Sequence, residues 1–372
     1  MRFPATPRRS RRTSPDDMAS ASGGREAPHP VGRGAARGRH GKTMPPQRAA
    51  PRSYYCRPKA FLVAGHSGKP APRAVSATNQ ADMLWCLGQH GRIKMALSER
   101  QIAEHYAAEN ILEKIDAALR ELGHDPENIS AETLKPVDEF HSAGVEATKA
   151  LLGQLEVTPE MQVLDIGCGI GGPARSIASR HNCRVQGIDL TPEYVQTARH
   201  LSARVGLDDL TEFEEGSATE IPLEPDTADM AWMLHVGMNI PDKQALFAEA
   251  ARVLRPGGHF VVFDVMEGPV AKPPEFPVPW ASSPEMSHVM HADGYRSAAS
   301  DAGFTQLSEK DLSAFTLDDF EDKLAAMEAE GRPPLGLHIL MGERAPDKMG
   351  NYVAALREQR IAPVEMIFRA AA

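Results

Sequence analysis

Between residues 161 and 263 the chain alternates short apolar runs with segments of helical periodicity, and this alternation constrains the fold more than any other feature. Residues 163–165, 184–189, 230–234 and 260–263 read as strands, with a weaker one at 210–214. Residues 173–180, 192–205 and 243–254 read as the helices between them, and Pro256-Gly257-Gly258 turns the chain into the last strand. Strands that are apolar along their whole length are buried on both faces. Repeated βα units of this kind predict an α/β fold, a mostly parallel sheet covered by helices.

The flanks differ. Ser98 and Gln101 form a capping-box pattern ahead of Ile102, Tyr106, Ile111, Ile115, Leu119 and Leu122. Their near-helical spacing predicts one helix closed by Gly123. With a segment at 129–134 and a helix over 140–155, it makes an N-terminal helical cap spanning 96–155. Residues 156–372 then form the main domain. Late in the chain, a helix at 295–302 and a strand at 306–312 precede helices at 317–330 and 348–359, before a final strand at 364–368. The helical insertion, about 314–360, is long enough to wall a substrate chamber.

Charge divides the chain in two. Residues 1–60 carry 14 Lys and Arg against 3 Asp and Glu, a formal +11, so the remainder of a −9 chain carries −20. The Arg-, Pro- and Gly-rich stretch has no periodic apolar face to offset its ordering entropy, which predicts a disordered arm over 1–95. Three uses remain open for it: a nucleic-acid tether, an organellar transit peptide, or an incidental extension ahead of a start at Met83 or Met95. The acidic body argues against a polyanionic substrate, because a groove for one should be positive. No apolar stretch reaches the 18 residues of a membrane span. Cys56, Cys86, Cys168 and Cys183 form no CxxC pair, which points to a reducing, cytoplasmic setting without structural zinc or disulfides.

The strongest local signal is Val163-Leu164-Asp165-Ile166-Gly167-Cys168-Gly169-Ile170-Gly171-Gly172, placed between a strand and a helix. Glycines here admit tight backbone geometry and close approach of a ligand. A dinucleotide-binding loop shares that logic, but here an acid, Asp165, opens the loop. A carboxylate at this turn suits the ammonium of a methionine moiety and repels pyrophosphate, which favours S-adenosylmethionine over NAD. Asp189 ends the next strand 24 residues later, where a carboxylate can accept two ribose hydroxyl hydrogen bonds. Leu190 follows it. The third strand leads to Ser217 and Ala218, expected beside adenine, and the fourth ends at Leu234 and His235, bordering the methionine half.

The runs VLDIGCGIGGPAR, GIDLTPEYVQTAR and RVLRPGGHFVVFDV, in that order, resemble the class I S-adenosylmethionine-dependent methyltransferases. They look most like the small-molecule branch, which includes sarcosine/dimethylglycine N-, ubiquinone/menaquinone C- and sugar O-methyltransferases. The resemblance covers about residues 140–312. It implies a Rossmann-like seven-stranded sheet whose last strand is antiparallel, with no metal requirement. It places Asp165, Gly167 and Gly169 around the methionine portion and Asp189 on the ribose. Ser217 departs from the Asp that many members carry opposite adenine. His141, in Asp138-Glu139-Phe140-His141-Ser142-Ala143-Gly144, resembles a cap segment closing over the cofactor.

Methyl transfer from a sulfonium expels a neutral leaving group, so the protein mainly orients the acceptor, excludes water and, for hydroxyl or carbon acids, supplies a base. His235 is the expected base, since it follows the fourth strand at the ligand-binding edge and imidazole titrates near neutrality. By the same resemblance Asp264, ending the fifth strand, stands near the acceptor. Trp280 and Tyr106 are expected in the substrate pocket. A small-molecule acceptor is the expected partner of a monomer or homodimer. A nucleic-acid methyltransferase and a NAD-dependent oxidoreductase are the alternatives.

Overall fold

A computed structural model describes residues 99–107 and 110–372. The chain divides into Met1–Arg73 and Ala74–Ala372, and every described residue belongs to the second part. The expectations for the arm, the Ser98 cap, Cys56 and Cys86 lie outside the described residues.

Helical residues 99–106 (α1) and the helices Ile111–Glu121 (α2), Ala131–Asp138 (α3) and Gly144–Leu152 (α4) precede the sheet. Then follow Gln162–Ile166 (β1), Gly172–His181 (α5), Arg184–Asp189 (β2), Pro192–Arg204 (α6), Thr211–Glu215 (β3), Ala228–Leu234 (β4), Lys243–Val253 (α7) and Leu254–Glu267 (β5). Ala292–Asp301 (α8), Thr305–Asp311 (β6), Ser313–Glu330 (α9), His338–Met341 (α10), Ala345–Arg357 (α11) and Ile361–Arg369 (β7) complete the chain. The seven strands form one sheet in the order β3-β2-β1-β4-β5-β7-β6. Strands β1 to β5 pair in parallel, whereas β7 runs antiparallel to both β5 and β6.

Strand alternation sorts the core into two layers. Leu164, Ile166, Phe260 and Val262 face one side, with Phe247 of α7 packed edge-on to Phe260 at 5.2 Å between centroids. Val163, Trp232, Val261 and Phe263 face the other, under α4 and α5. Each such fully buried side chain contributes about 1.5–3 kcal/mol.

Four boundaries depart from expectation. The single helix expected across residues 102–122 is two, because Asn110 adopts a left-handed conformation (φ 61°) ahead of α2. The helix expected from residue 140 starts at Gly144, after Ala143 turns the chain at φ 56°, so His141 and Ser142 stand in a loop. Pro256-Gly257-Gly258 is a bulge inside β5 rather than a turn before it: Ala228 pairs with Leu254 and Met230 with His259. The short helix α10 lies between the helices expected at 317–330 and 348–359, where the sequence reading assigns no element. Among the described residues, no helix is long and apolar enough to cross a membrane.

Candidate active site

The loop after β1 is stitched to β2: the amides of Gly167 and Cys168 both donate to the Ile188 carbonyl, at 2.8 and 2.9 Å. Gly167 (φ +72°) and Gly169 (φ +54°) lie in the left-handed region that glycine tolerates. A Cβ on Gly167 would strike Val236 at 2.4 Å, so this position admits no side chain. A Cβ on Gly169 would enter open space, with nothing nearer than Tyr194 Cδ2 at 4.0 Å. That space belongs to a cavity of about 1380 Å³ over the C-terminal ends of β1, β2 and β4, reaching the helices α9 to α11. It exceeds the roughly 300–1,000 Å³ of an ordinary ligand pocket, leaving room for two molecules.

Of the thirteen site residues expected from the sequence, all but Asp165 and Asp264 line this cavity. Asp189 is half-buried on its wall. Its Oδ2 accepts from the Gly169 amide at 2.9 Å and its Oδ1 from the Thr191 amide at 2.8 Å. Burial pushes this carboxyl above its ordinary value, and the two amides pull it back. Each oxygen keeps a lone pair for a diol.

Asp165 corrects the sequence reading. Its carboxyl is buried (1% exposed) beneath the loop rather than on the cavity wall, and its Oδ2 has no hydrogen-bond partner. Burial, then the charges of Asp189 and Glu139, raise its pKa to about 8, so it is largely protonated at neutral pH. Asp165 therefore stands behind the cavity lining, not in it. Asp264 is the second correction. It is fully buried behind Gly237, where its Oδ2 accepts from the Tyr295 hydroxyl at 2.7 Å and its Oδ1 from the Val265 amide at 2.9 Å. A Cβ on Gly237 would lie 2.2 Å from that carboxylate, so the two pack closely, and neither Gly237 nor Asp264 lines the cavity.

Ser217 faces the cavity, but its hydroxyl donates to Glu99 of α1, which also accepts from Thr219 at 3.3 Å. The part played by Glu99 is not legible in the sequence, because nothing in a surface-helix glutamate marks its distant partner. Tyr106 donates from its hydroxyl to Asn239 Oδ1 at 2.9 Å, and Asn239 Nδ2 donates to the Trp280 carbonyl at 2.8 Å. Asn239 thus ties the cap to the loop after β5, a role that no spacing announces. Trp280 is buried on the cavity wall, its indole donating to Ser287 at 3.0 Å.

His235 sits at the end of β4 in a left-handed conformation (φ 56°), with Nε2 buried and unpartnered. Its ring lies 4.8 Å from Phe263 and 5.9 Å from His141, centroid to centroid. Burial, then the neighbouring His141, hold its pKa well below the usual histidine range, so it is neutral near pH 7. His141 is itself clamped: Nε2 lies 2.9 Å from Glu139 Oε2, and Nδ1 lies 3.2 Å from the Ser142 carbonyl. Burial alone would raise Glu139, but hydrogen bonds from His141, Thr148 and Ser176 outweigh it and keep the carboxylate charged. Glu139 and His141 stand at i and i+2, and that spacing is the one trace of the pair in the sequence.

Residues 164–262 match the family described as "Methyltransferase domain". The chain is similar to methyltransferase GfsG of Streptomyces halstedii, at 32% identity over 130 residues, 35% of this chain and 47% of that protein. It is similar also to the sarcosine/dimethylglycine N-methyltransferase of Halorhodospira halochloris, at 31% over 133 residues, 36% of this chain and 47% of that protein. The chain spans about half the length of these curated relatives. Among solved structures, geranyl diphosphate C-methyltransferase from Streptomyces coelicolor A3(2) superposes with a TM-score of 0.55 at 17% identity, covering 74% of this chain and 98% of that one. That likeness is one of fold.

Proposed function

We propose that this chain, which is similar to class I S-adenosylmethionine-dependent methyltransferases, moves the cofactor's methyl group to an N, O or C atom of a small-molecule acceptor by in-line displacement. The observation that carries this reading is one large cavity lined both by Asp189 and Gly169 and by Trp280 and residues of α9 to α11. Bound S-adenosylmethionine supplies an electrophilic methyl on a sulfonium, and its departure as a thioether needs no general acid.

The residues present fit that cofactor. Asp189 has free lone pairs for the ribose diol, Gly169 leaves the space a side chain would fill, and Ala218 borders the adenine side. Glu99, by occupying the Ser217 hydroxyl, adds a carboxylate acceptor where the family more often carries one on β3. His235 lines the cavity and is neutral, and it takes the acceptor's proton where the acceptor has one to lose. His141, locked by Glu139, keeps that ring in place.

Calorimetry tests the reading. S-Adenosylmethionine should bind with micromolar affinity and NAD should not bind. Asp189→Ala should weaken binding at least tenfold, the scale of a lost charge-assisted hydrogen bond. Unchanged affinity in the variant would remove the ribose assignment, and tight NAD binding would remove the enzyme class.

A further inference from the structure

The long helix α9 has eighteen residues, of which Thr316 alone is fully buried. Phe320, Leu324 and Met327, at i, i+4 and i+7, share one of its faces, and all three line the cavity. Leu324 is 44% exposed and Met327 42%, unusual values for large apolar side chains that face inward. The walls they share a chamber with are apolar too: Met341 of α10, Met349 and Val353 of α11, and Trp280. Methionine adapts its shape to irregular hydrocarbon surfaces.

The charges around this half largely cancel. Lys323 pairs with Asp319 at 2.6 Å, Arg357 with Glu321 at 3.3 Å, and Lys135 with Glu132. Arg332 is the lining cation without an ion pair among the described residues, and it is exposed at the rim. One exposed guanidinium does not make a diphosphate site, and a small ammonium would leave the apolar stripe in water. Contiguous exposed apolar surface marks a binding site, and here it faces a chamber.

We propose that the acceptor is a neutral, largely hydrocarbon molecule of terpenoid or steroid size, seated against Phe320, Leu324 and Met327 of α9, a proposal that rests on the methyltransferase reading above for the name acceptor. Titrating the full chain with farnesol, estradiol, farnesyl diphosphate and sarcosine, each with and without saturating S-adenosylhomocysteine, tests it. Farnesol or estradiol should bind at micromolar concentrations and sarcosine should not. Leu324→Glu and Met327→Glu, both at exposed positions that spare the fold, should weaken the neutral ligand at least tenfold and leave S-adenosylhomocysteine binding unchanged. Farnesyl diphosphate binding ten times tighter than farnesol, with the gain lost in Arg332→Ala, would overturn the proposal. So would failure of both neutral ligands, or their indifference to the two glutamates. A dimer held through the α9 face, dissociated by the same glutamates while neutral ligands do not bind, would also overturn it by naming a second copy as the occupant. Neutral ligands that bind to a protein taking no S-adenosylhomocysteine would uphold the apolar chamber and remove the methyltransferase reading instead.

Discussion

Asp165 and Asp189 end neighbouring strands, yet their surroundings give them opposite chemistry. Asp189 stands on the cavity wall with amide donors on both oxygens, whereas Asp165 is sealed under the loop. The sequence shows that both acids occupy strand ends, because strand boundaries follow from apolar runs and glycines. It does not show depth, which is set by how closely α4 and α5 cover the first strand. The burial of Asp165 has a measurable sign. Its pKa rises from 3.8 unfolded to about 8 folded, so the folded state binds the proton more tightly. That stability is complete below about pH 4 and is lost as pH rises through 8. Wild type should therefore lose stability in urea between pH 6 and 9. Asp165→Asn, which cannot ionise, should lose at least about 1 kcal/mol less over that range, because a tenfold difference in proton affinity is worth about 1.4 kcal/mol. Parallel curves would show that another group titrates. His235 carries the complementary expectation. With a pKa held below 6.5 it stays an unprotonated base into mild acid, so the acidic limb of the rate profile should lie below pH 6.5. His235→Ala should lower kcat on the order of 10²-fold while cofactor affinity holds within about twofold. An undiminished kcat would leave alignment, without proton removal, as the chemistry.

At the scale of elements, a buried ion pair helps join the cap to the sheet domain. Arg175 of α5 is buried, and its guanidinium donates to Asp138 at the end of α3 at 2.6 Å. It also reaches the Ala198 carbonyl and the Ser202 hydroxyl of α6, at 3.4 and 3.3 Å. The approach of α3 to α5 is close enough that a Cβ on Gly172 would meet the Asp138 carbonyl at 2.1 Å. Burial pushes Asp138 up to about 6, and the guanidinium limits the rise. Arg175→Ala should cost roughly 3–5 kcal/mol in urea unfolding, because it leaves a buried carboxylate unpaired. The double variant Asp138→Leu with Arg175→Leu should recover much of that loss, and a double variant no better than the single would refute the pairing. The strands and crossover helices are legible because period 2 and period 3.6 are written in the residues themselves. The break before α2 is harder to read, since it rests on a left-handed Asn110 rather than on a glycine or proline.

For the molecule as a whole, the order of strands is the least legible property. Apolar runs identify the strands but not their neighbours; the family resemblance supplies an antiparallel last strand, and only the structure places β7 between β5 and β6. The size of the cavity is equally hidden, because α9 to α11 define it from sequence positions more than a hundred residues beyond the glycine loop. A ligand that spans so much of the fold should stabilise all of it. Saturation with S-adenosylhomocysteine at a hundred times its Kd should add about 2.7 kcal/mol. At about 2–4 °C per kcal/mol for a domain of this class, Tm should rise by roughly 5–10 °C. An unmoved Tm at that concentration would mean that the folded state does not bind it.

The helices α9 to α11 leave the chain after β6 and return it at β7, the two outermost strands on the side of the sheet away from β2 and β3. This stretch also packs into the core, Leu335, Ile339 and Leu340 with α2 and Tyr352, Val353 and Leu356 with Trp280, so a different segment in its place must restore that packing and leave the ladder joining β6 to β7 intact. On the function proposed above, acceptor preference and the grip on the methyl donor are carried largely by different segments of the chain. A single graft across residues 313–357 that keeps this packing is then a route by which the scaffold could acquire a new diet.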